Sequence, residues 1–276
     1  MQVNGFVVHG AVAAAVFASG VGAVIADTTA SGGVTLAGPQ VLRLIQNAPS
    51  ALAAYPSVKM TLSMSLSGNG QHASFDEHGV VSPDGKSGRV RLDLPNGAPS
   101  ITFLGVGDAM YVPASQQAVA TLGKHWIGLH LTRSANVGSL TAPSGSDAMT
   151  YLRLMPGATG EVKVLGHPTV DGVRTTHYRV TVDVLKAYQH LPPELQNASG
   201  SQLQQLGVTT IPVDVWLDAQ HALRQEKLNL STHGVSADLT IRLAGSSTPV
   251  NVVAPTASDV YFVGSITELV QDAINH

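Results

Sequence analysis

The sequence is 276 residues long and contains no cysteine. Disulfides, thiolate metal ligands and cysteine nucleophiles are therefore excluded together. Aromatic residues make up only 5% of the chain and charged residues only 12%, against 44% hydrophobic residues. Charge of neither sign dominates, with a formal net charge of −3 and a pI near 6.4. No Lys/Arg-rich run offers a basic footprint to nucleic acid or a handle on an anionic membrane surface. The local signatures of common catalysts are missing as well: there is no G-x-S-x-G elbow, no Walker loop and no H-E-x-x-H. Gly20-Val21-Gly22 lacks a third glycine and a preceding strand. The eleven histidines fall in neither H-x-H nor H-x-x-x-H spacing, and His125 and His130, five apart, read as loop or solvated side chains. These absences leave no expected cofactor, no metal site and no enzymatic activity.

What the chain does contain is patterned apolar surface. Gly5 to Ala26 holds no Asp, Glu, Lys or Arg and is mostly Ala, Val, Gly and Phe. Residues 1–26 read as a secretory signal, with Val24 and Ala26 as the small residues of a cleavage site, or as an apolar N-terminal helix. Met1 to Asn4 lacks the basic residues that a signal usually carries. Val24-Ile25-Ala26-Asp27 has the shape of a lipobox, but Asp27 stands where a cysteine would be acylated. The expectation is an exported protein of the cell envelope or extracellular space, not anchored by lipid through a cysteine. Residues 27–37 form a flexible linker by composition, and 38–276 a single domain.

From Pro39, Val41, Leu44, Ile45, Ala48, Leu52 and Tyr55 recur at helical spacing, with Pro49 expected to kink or break the helix. After Pro56 the period changes to two. Val58, Met60, Leu62, Met64 and Leu66 alternate with polar residues, as in an antiparallel strand with one face buried. Ala73 with Phe75, then Val90, Leu92 and Leu94, then Ile101 with Phe103, and Met110 with Val112 continue the pattern between turn signals. A helix is expected from Asp147 to Met155. Thr169-Val170-Asp171-Gly172-Val173 is a hairpin turn, its Asp-Gly pair supplying positive φ. Tyr178, Val180 and Val182 share one strand face, a helical piece spans Asp183 to Leu191, and Ile211, Val213, Val215 and Leu217 share the next face. Leu228 and Leu230 continue it after the turn at Asp218 to His221. Val235 to Leu243 alternates again, and Ser265 to Glu268 reads as a capping box opening a terminal helix that packs back on the sheet.

The stretch GHPTVDGVRTTHYRVTVDVLKAYQHLP followed by IPVDVWLDAQHALRQEKLNLS, from Gly166 to Ser231, resembles actinobacterial lipoproteins of the LppX/LprG type, relatives of the LolA/LolB carriers. The resemblance implies a mainly β (α+β) fold. In it a curved antiparallel sheet of about ten strands forms an incomplete barrel, capped by three or four helices. It implies an exported, non-catalytic carrier that sequesters a lipid or other amphiphile in an apolar cavity. The residues expected to line that cavity are Met60, Leu62, Met64, Leu66, Val90, Leu92, Phe103, Tyr178, Val180, Val213, Val215, Leu217, Leu228 and Leu230. Taken singly, each apolar strand face reads as ordinary core; the set of long one-faced strands, with few aromatics and few helices, points to a cavity. The alternative function on the same scaffold is an envelope sensor or protein-interaction module, with an envelope protein as partner and no nucleic acid.

Overall fold

The computed structural model describes residues 38–130 apart from 69, 85 and 96–98, residues 162–183, 209–232 and 235–265, and Lys186, Glu268, Leu269 and Asp272. The leader, the linker, the helix expected at Asp147–Met155 and most of that at Asp183–Leu191 lie outside the described residues.

Helix α1 (Gly38–Leu52) leads into six consecutive strands: β1 (Ser57–Gly68), β2 (Gln71–Val81), β3 (Ser87–Asp93), β4 (Ile101–Val106), β5 (Ala109–Pro113) and β6 (Trp126–His130). A short helix, α2 (Gln116–Leu122), joins the last two. The second half supplies β7 (Lys163–Gly166), β8 (Thr169–Val170), β9 (Val173–Arg174), β10 (Thr176–Asp183), β11 (Thr210–Leu217), β12 (Leu223–Thr232), β13 (Val235–Ser246) and β14 (Val260–Val263). Twelve of these make one sheet in the order β14-β6-β5-β4-β3-β2-β1-β13-β12-β11-β10-β7. Every pairing in it is antiparallel except that of β14 with β6.

Alternation builds this sheet. Along β1 every second residue from Val58 to Leu66 is buried, while those between are exposed or half-buried. Met60, Leu62, Met64 and Leu66 stand opposite Leu243, Ile241, Leu239 and Ala237 of β13, so two one-faced strands zip in register. A slip of one residue would turn both apolar sets to water, and this fixes the pairing. Laid flat, a sheet of this many strands would span roughly 50 Å at about 4.8 Å per spacing. Yet Met110 and Ile127 near one end share a contiguous buried cluster with Val180 and Val213 near the other. The sheet reaches this by curving its inner face around a common core. It does not close, since the strand order ends at β14 and β7.

Several expectations are corrected. The sheet has twelve strands among the described residues rather than about ten; two α-helices have bounds there, and the rest of the expected three or four fall largely outside the described residues. Helix α1 runs through Pro49 instead of breaking. Pro49 lies in the last turn, where a lost N–H leaves little helix downstream, and the buried stripe Val41, Leu44, Ile45, Ala48 and Leu52 holds the segment on β11 and β12. Tyr55 falls outside the helix and its ring lies over Gly245 of β13, where any Cβ would strike it. The hairpin at Asp171 (φ 49°) and Gly172 (φ 79°) has the expected left-handed pair, but it joins only β8 to β9 in a sheet of its own.

The ends of the domain are tied by side chains. Ser115 caps α2 by accepting from the Ala118 N–H, and its own N–H and hydroxyl donate to the Asp272 carboxylate. Glu268 donates its N–H to the Ser265 hydroxyl, as the capping box predicts, while its carboxylate accepts from the Gly264 N–H. Leu269 is fully buried in the core cluster, so this terminal segment packs back on the sheet.

Candidate functional site

The inner face of the sheet gathers the sequence-predicted residues. In successive rows across the strands, Phe103, Val90, Gly79, Met60 and Leu243 line up, and Val180, Val213, Leu228, Leu239 and Met64 line up in another. Of the fourteen residues expected to share an apolar surface, thirteen are buried in a single cluster: Met60, Leu62, Met64, Leu66, Val90, Leu92, Phe103, Tyr178, Val180, Val213, Val215, Leu217 and Leu228. Leu230 takes the matching register position opposite Ala237.

The row between those two is different. It runs Ile101, Leu92, Glu77, Leu62, Ile241, Glu226, Val215 and Tyr178 from β4 to β10. Two carboxyl groups thus interrupt the apolar face, one on each side of the central Leu62–Ile241 pair. Glu226 is only 5% exposed. Neither acid has a hydrogen-bond or ion-pair partner among the described residues, and burial alone pushes each carboxyl up to about 7. Tyr178 closes the row. Burial raises its hydroxyl above the usual phenol range, against the opposing effect of a hydrogen bond with Thr176.

These acids are not sealed from solvent. Among the described residues no side-chain oxygen or nitrogen is both sealed from solvent and unpaired. An unpaired Glu226 carboxyl must therefore keep contact with space that water can enter. Glu77 is densely surrounded by protein yet retains accessible surface of its own. The apolar members of the row are all buried, from 1% exposed at Val215 to 9% at Ile241.

The outer face is polar and paired. Asp214 receives two hydrogen bonds from Arg179, each 2.8 Å, and lies 3.0 Å from His177 Nε2. Burial raises the Asp214 carboxyl, but these hydrogen bonds outweigh it and hold the group below the usual carboxylate range. His177 stacks on Trp216 at 4.0 Å between ring centroids, and Lys227 stands over the same indole. Arg242 donates to Gln225 at 3.0 Å. A small second apolar cluster, Leu104, Ala109, Tyr111 and Val260, lies beneath β14, where the Phe262 ring stacks on His130 and covers Gly128. These contacts tie neighbouring strands together laterally.

The sequence reading missed Glu77 and Glu226, although the signal was present. Period two places Glu77 on the same side as Ala73 and Phe75, and Glu226 on the same side as Leu228 and Leu230. A charged residue at an inward position of an otherwise one-faced strand is the feature to look for.

No protein-family model matches the chain. It is 32% identical over 165 residues to an uncharacterized 31.2 kDa protein of the rplA–rplJ intergenic region of Streptomyces griseus, a match covering 57% of this chain. The chain spans about half the length of that relative, 52%. Among solved structures it is similar to the lipoprotein LppX of Mycobacterium tuberculosis, with a TM-score of 0.48, 17% identity, and 79% of this chain and 100% of the other covered. It is similar to LprF of Mycobacterium bovis, with a TM-score of 0.48, 15% identity, and 79% and 98% covered. A LolA superfamily protein of Nitrosomonas europaea matches with a TM-score of 0.33, 9% identity, and 78% and 96% covered.

Proposed function

We propose that the chain is an exported, non-catalytic carrier that holds a lipid or other amphiphile against the inner face of its sheet. One observation carries the reading: apolar side chains from both halves of the sheet gather on its inner face, and the unpaired Glu226 carboxyl among them is not sealed from solvent. Space at the middle of an apolar concave face takes a hydrocarbon chain well, each buried methylene contributing about 0.8 kcal/mol. Met60 and Met64 add side chains that adapt to varied apolar shapes. The acyl chains lie along Leu62, Ile241 and Leu228 in this reading, with the polar group toward the rim of the open sheet.

The test is a small-to-large change. Val215, between Tyr178 and Glu226 in the central row, is replaced by Trp. Lipid extracted from the purified protein is then weighed against thermal stability. Loss of bound lipid with stability kept supports the reading. Destabilisation by about 1–3 kcal/mol, with no lipid in the unmodified protein either, replaces it with an ordinary β core.

A further inference from the structure

Buried acids on an apolar face are an anomaly, and their surroundings narrow what they serve. Among the described residues Lys59, Arg89, Arg91, Arg179, Lys227 and Arg242 take outward register positions, while Arg224, half-buried at the bulge of β12 two residues before Glu226, lies 3.9 Å from the Asp218 carboxylate. Helix α1, which packs on β11 and β12, carries one charged residue, Arg43, and it is exposed. Among the described residues, Tyr178 and Tyr261 share inward positions with the two acids, while the other charged groups of the packed elements are already engaged: Arg224 with Asp218, Asp272 with Ser115 and Glu268 with the Gly264 N–H. Glu226 is 95% buried and unpaired, and no cation among the described residues completes it. Three strand spacings, about 14 Å on a flat sheet, separate the two acids, and the Leu62–Ile241 pair between them forms an apolar floor. A ligand is thereby read by a hydrocarbon contact flanked by carboxyl groups.

Resting on the carrier reading above, we propose that Glu77 and Glu226 make the inner face selective for amphiphiles bearing a basic amine, and against acidic lipids. An ammonium group brought in on an alkyl chain supplies three donors to a carboxylate that has none, in a setting of low dielectric where a charge-assisted bond is strong. A neutral alcohol offers one ordinary hydrogen bond. A fatty-acid carboxylate brings like charge. Because burial holds both acids near 7 in the empty protein, the carboxylates that an ammonium needs are mostly protonated at pH 5.5 and mostly formed at pH 8. Amine affinity should rise across that interval while alcohol affinity stays flat.

The experiment loads the full chain with N-phenyl-1-naphthylamine, a neutral reporter, and displaces it with decylamine, decanol or decanoate at pH 5.5 and pH 8. At pH 8 decylamine should bind about tenfold more tightly than decanol, with decanoate weakest, and the amine preference should shrink toward parity at pH 5.5. The Glu77→Gln/Glu226→Gln variant should lose the preference while binding decanol within about twofold of the unmodified protein. The pH series on the unmodified protein stands by itself if that variant does not fold. Equal binding of the three compounds at pH 8, or a preference that survives in the double variant, overturns the proposal and leaves the carrier reading intact. Failure of the protein to take up the reporter and all three compounds overturns the carrier reading, and the amine selectivity with it.

Discussion

Replacing Glu226 by glutamine should stabilise the empty protein at alkaline pH and do almost nothing in acid. In the folded chain burial raises this carboxyl to about 7 from an ordinary value of 4.5. A folded state that binds its proton more tightly than the unfolded state is favoured below the unfolded value, and loses that advantage as pH rises through the folded one. The difference, 7 minus 4.5, is 2.5 units, which at 1.36 kcal/mol per unit is about 3 kcal/mol of destabilisation fully expressed at pH 8. At pH 4.5 the same linkage leaves less than about 0.5 kcal/mol. Glutamine keeps the shape and burial of the protonated acid but cannot ionise, so it removes the alkaline penalty alone. For a chain of this size about 3 kcal/mol corresponds to a Tm increase of roughly 6–12 °C. Differential scanning calorimetry of ligand-free protein and variant at both pH values measures it, and any effect of the amide group itself appears equally at each. Tm differences that are the same at pH 4.5 and pH 8 would refute the reasoning, because the acid would then be solvated.

Other outcomes follow from the packing. Gly245→Val should destabilise the fold by about 1–3 kcal/mol, since its Cβ falls on the Tyr55 ring, and chemical denaturation should show Tyr55→Ala relieving most of the loss. Asp214→Asn should cost about 1 kcal/mol at neutral pH, a figure kept small because Arg179 is half exposed. That contribution is present above the ordinary carboxylate range and disappears as pH falls through the lowered value of Asp214, so the stability gap between the unmodified protein and the variant in urea melts should be present at pH 7 and shrink at pH 2.5. Protein recovered from an exporting host should begin at Asp27, which intact mass determines.

The strands with unbroken alternation were legible because period two in sequence is the sheet's own period. Val58 to Leu66 and Val235 to Leu243 read as one-faced strands, and they are the central pair β1 and β13. That they are neighbours was not legible, because pairing between strands so far apart depends on which edges meet and not on either pattern. The Asp171-Gly172 turn was visible because only a few residues adopt its backbone. Its confinement to a separate hairpin was not, since β10 takes its partners from β7 and β11. The apolar members of the candidate site could be named from alternation, and Glu77 and Glu226 escaped because a charged residue ordinarily marks the solvent side. Here the inward parity of their strands outweighs their polarity.

The position of β14 has a consequence for how the chain is made. In the strand order the six-stranded run from β6 to β1 is bracketed by β14 on one side and β13 on the other, both from the last part of the sequence. Until residues beyond Val235 are available, that run presents two bare edges, each a template for another chain. The pairing of Ser57 with Ser246 and of Trp126 with Val260 closes loops across much of the domain, so folding should be slow and late rather than progressive along the chain. A ribosome-bound or truncated fragment ending before β13 would be competent to aggregate but not to fold. A protein assembled this way keeps both edges of its first half open until β13 and β14 are present.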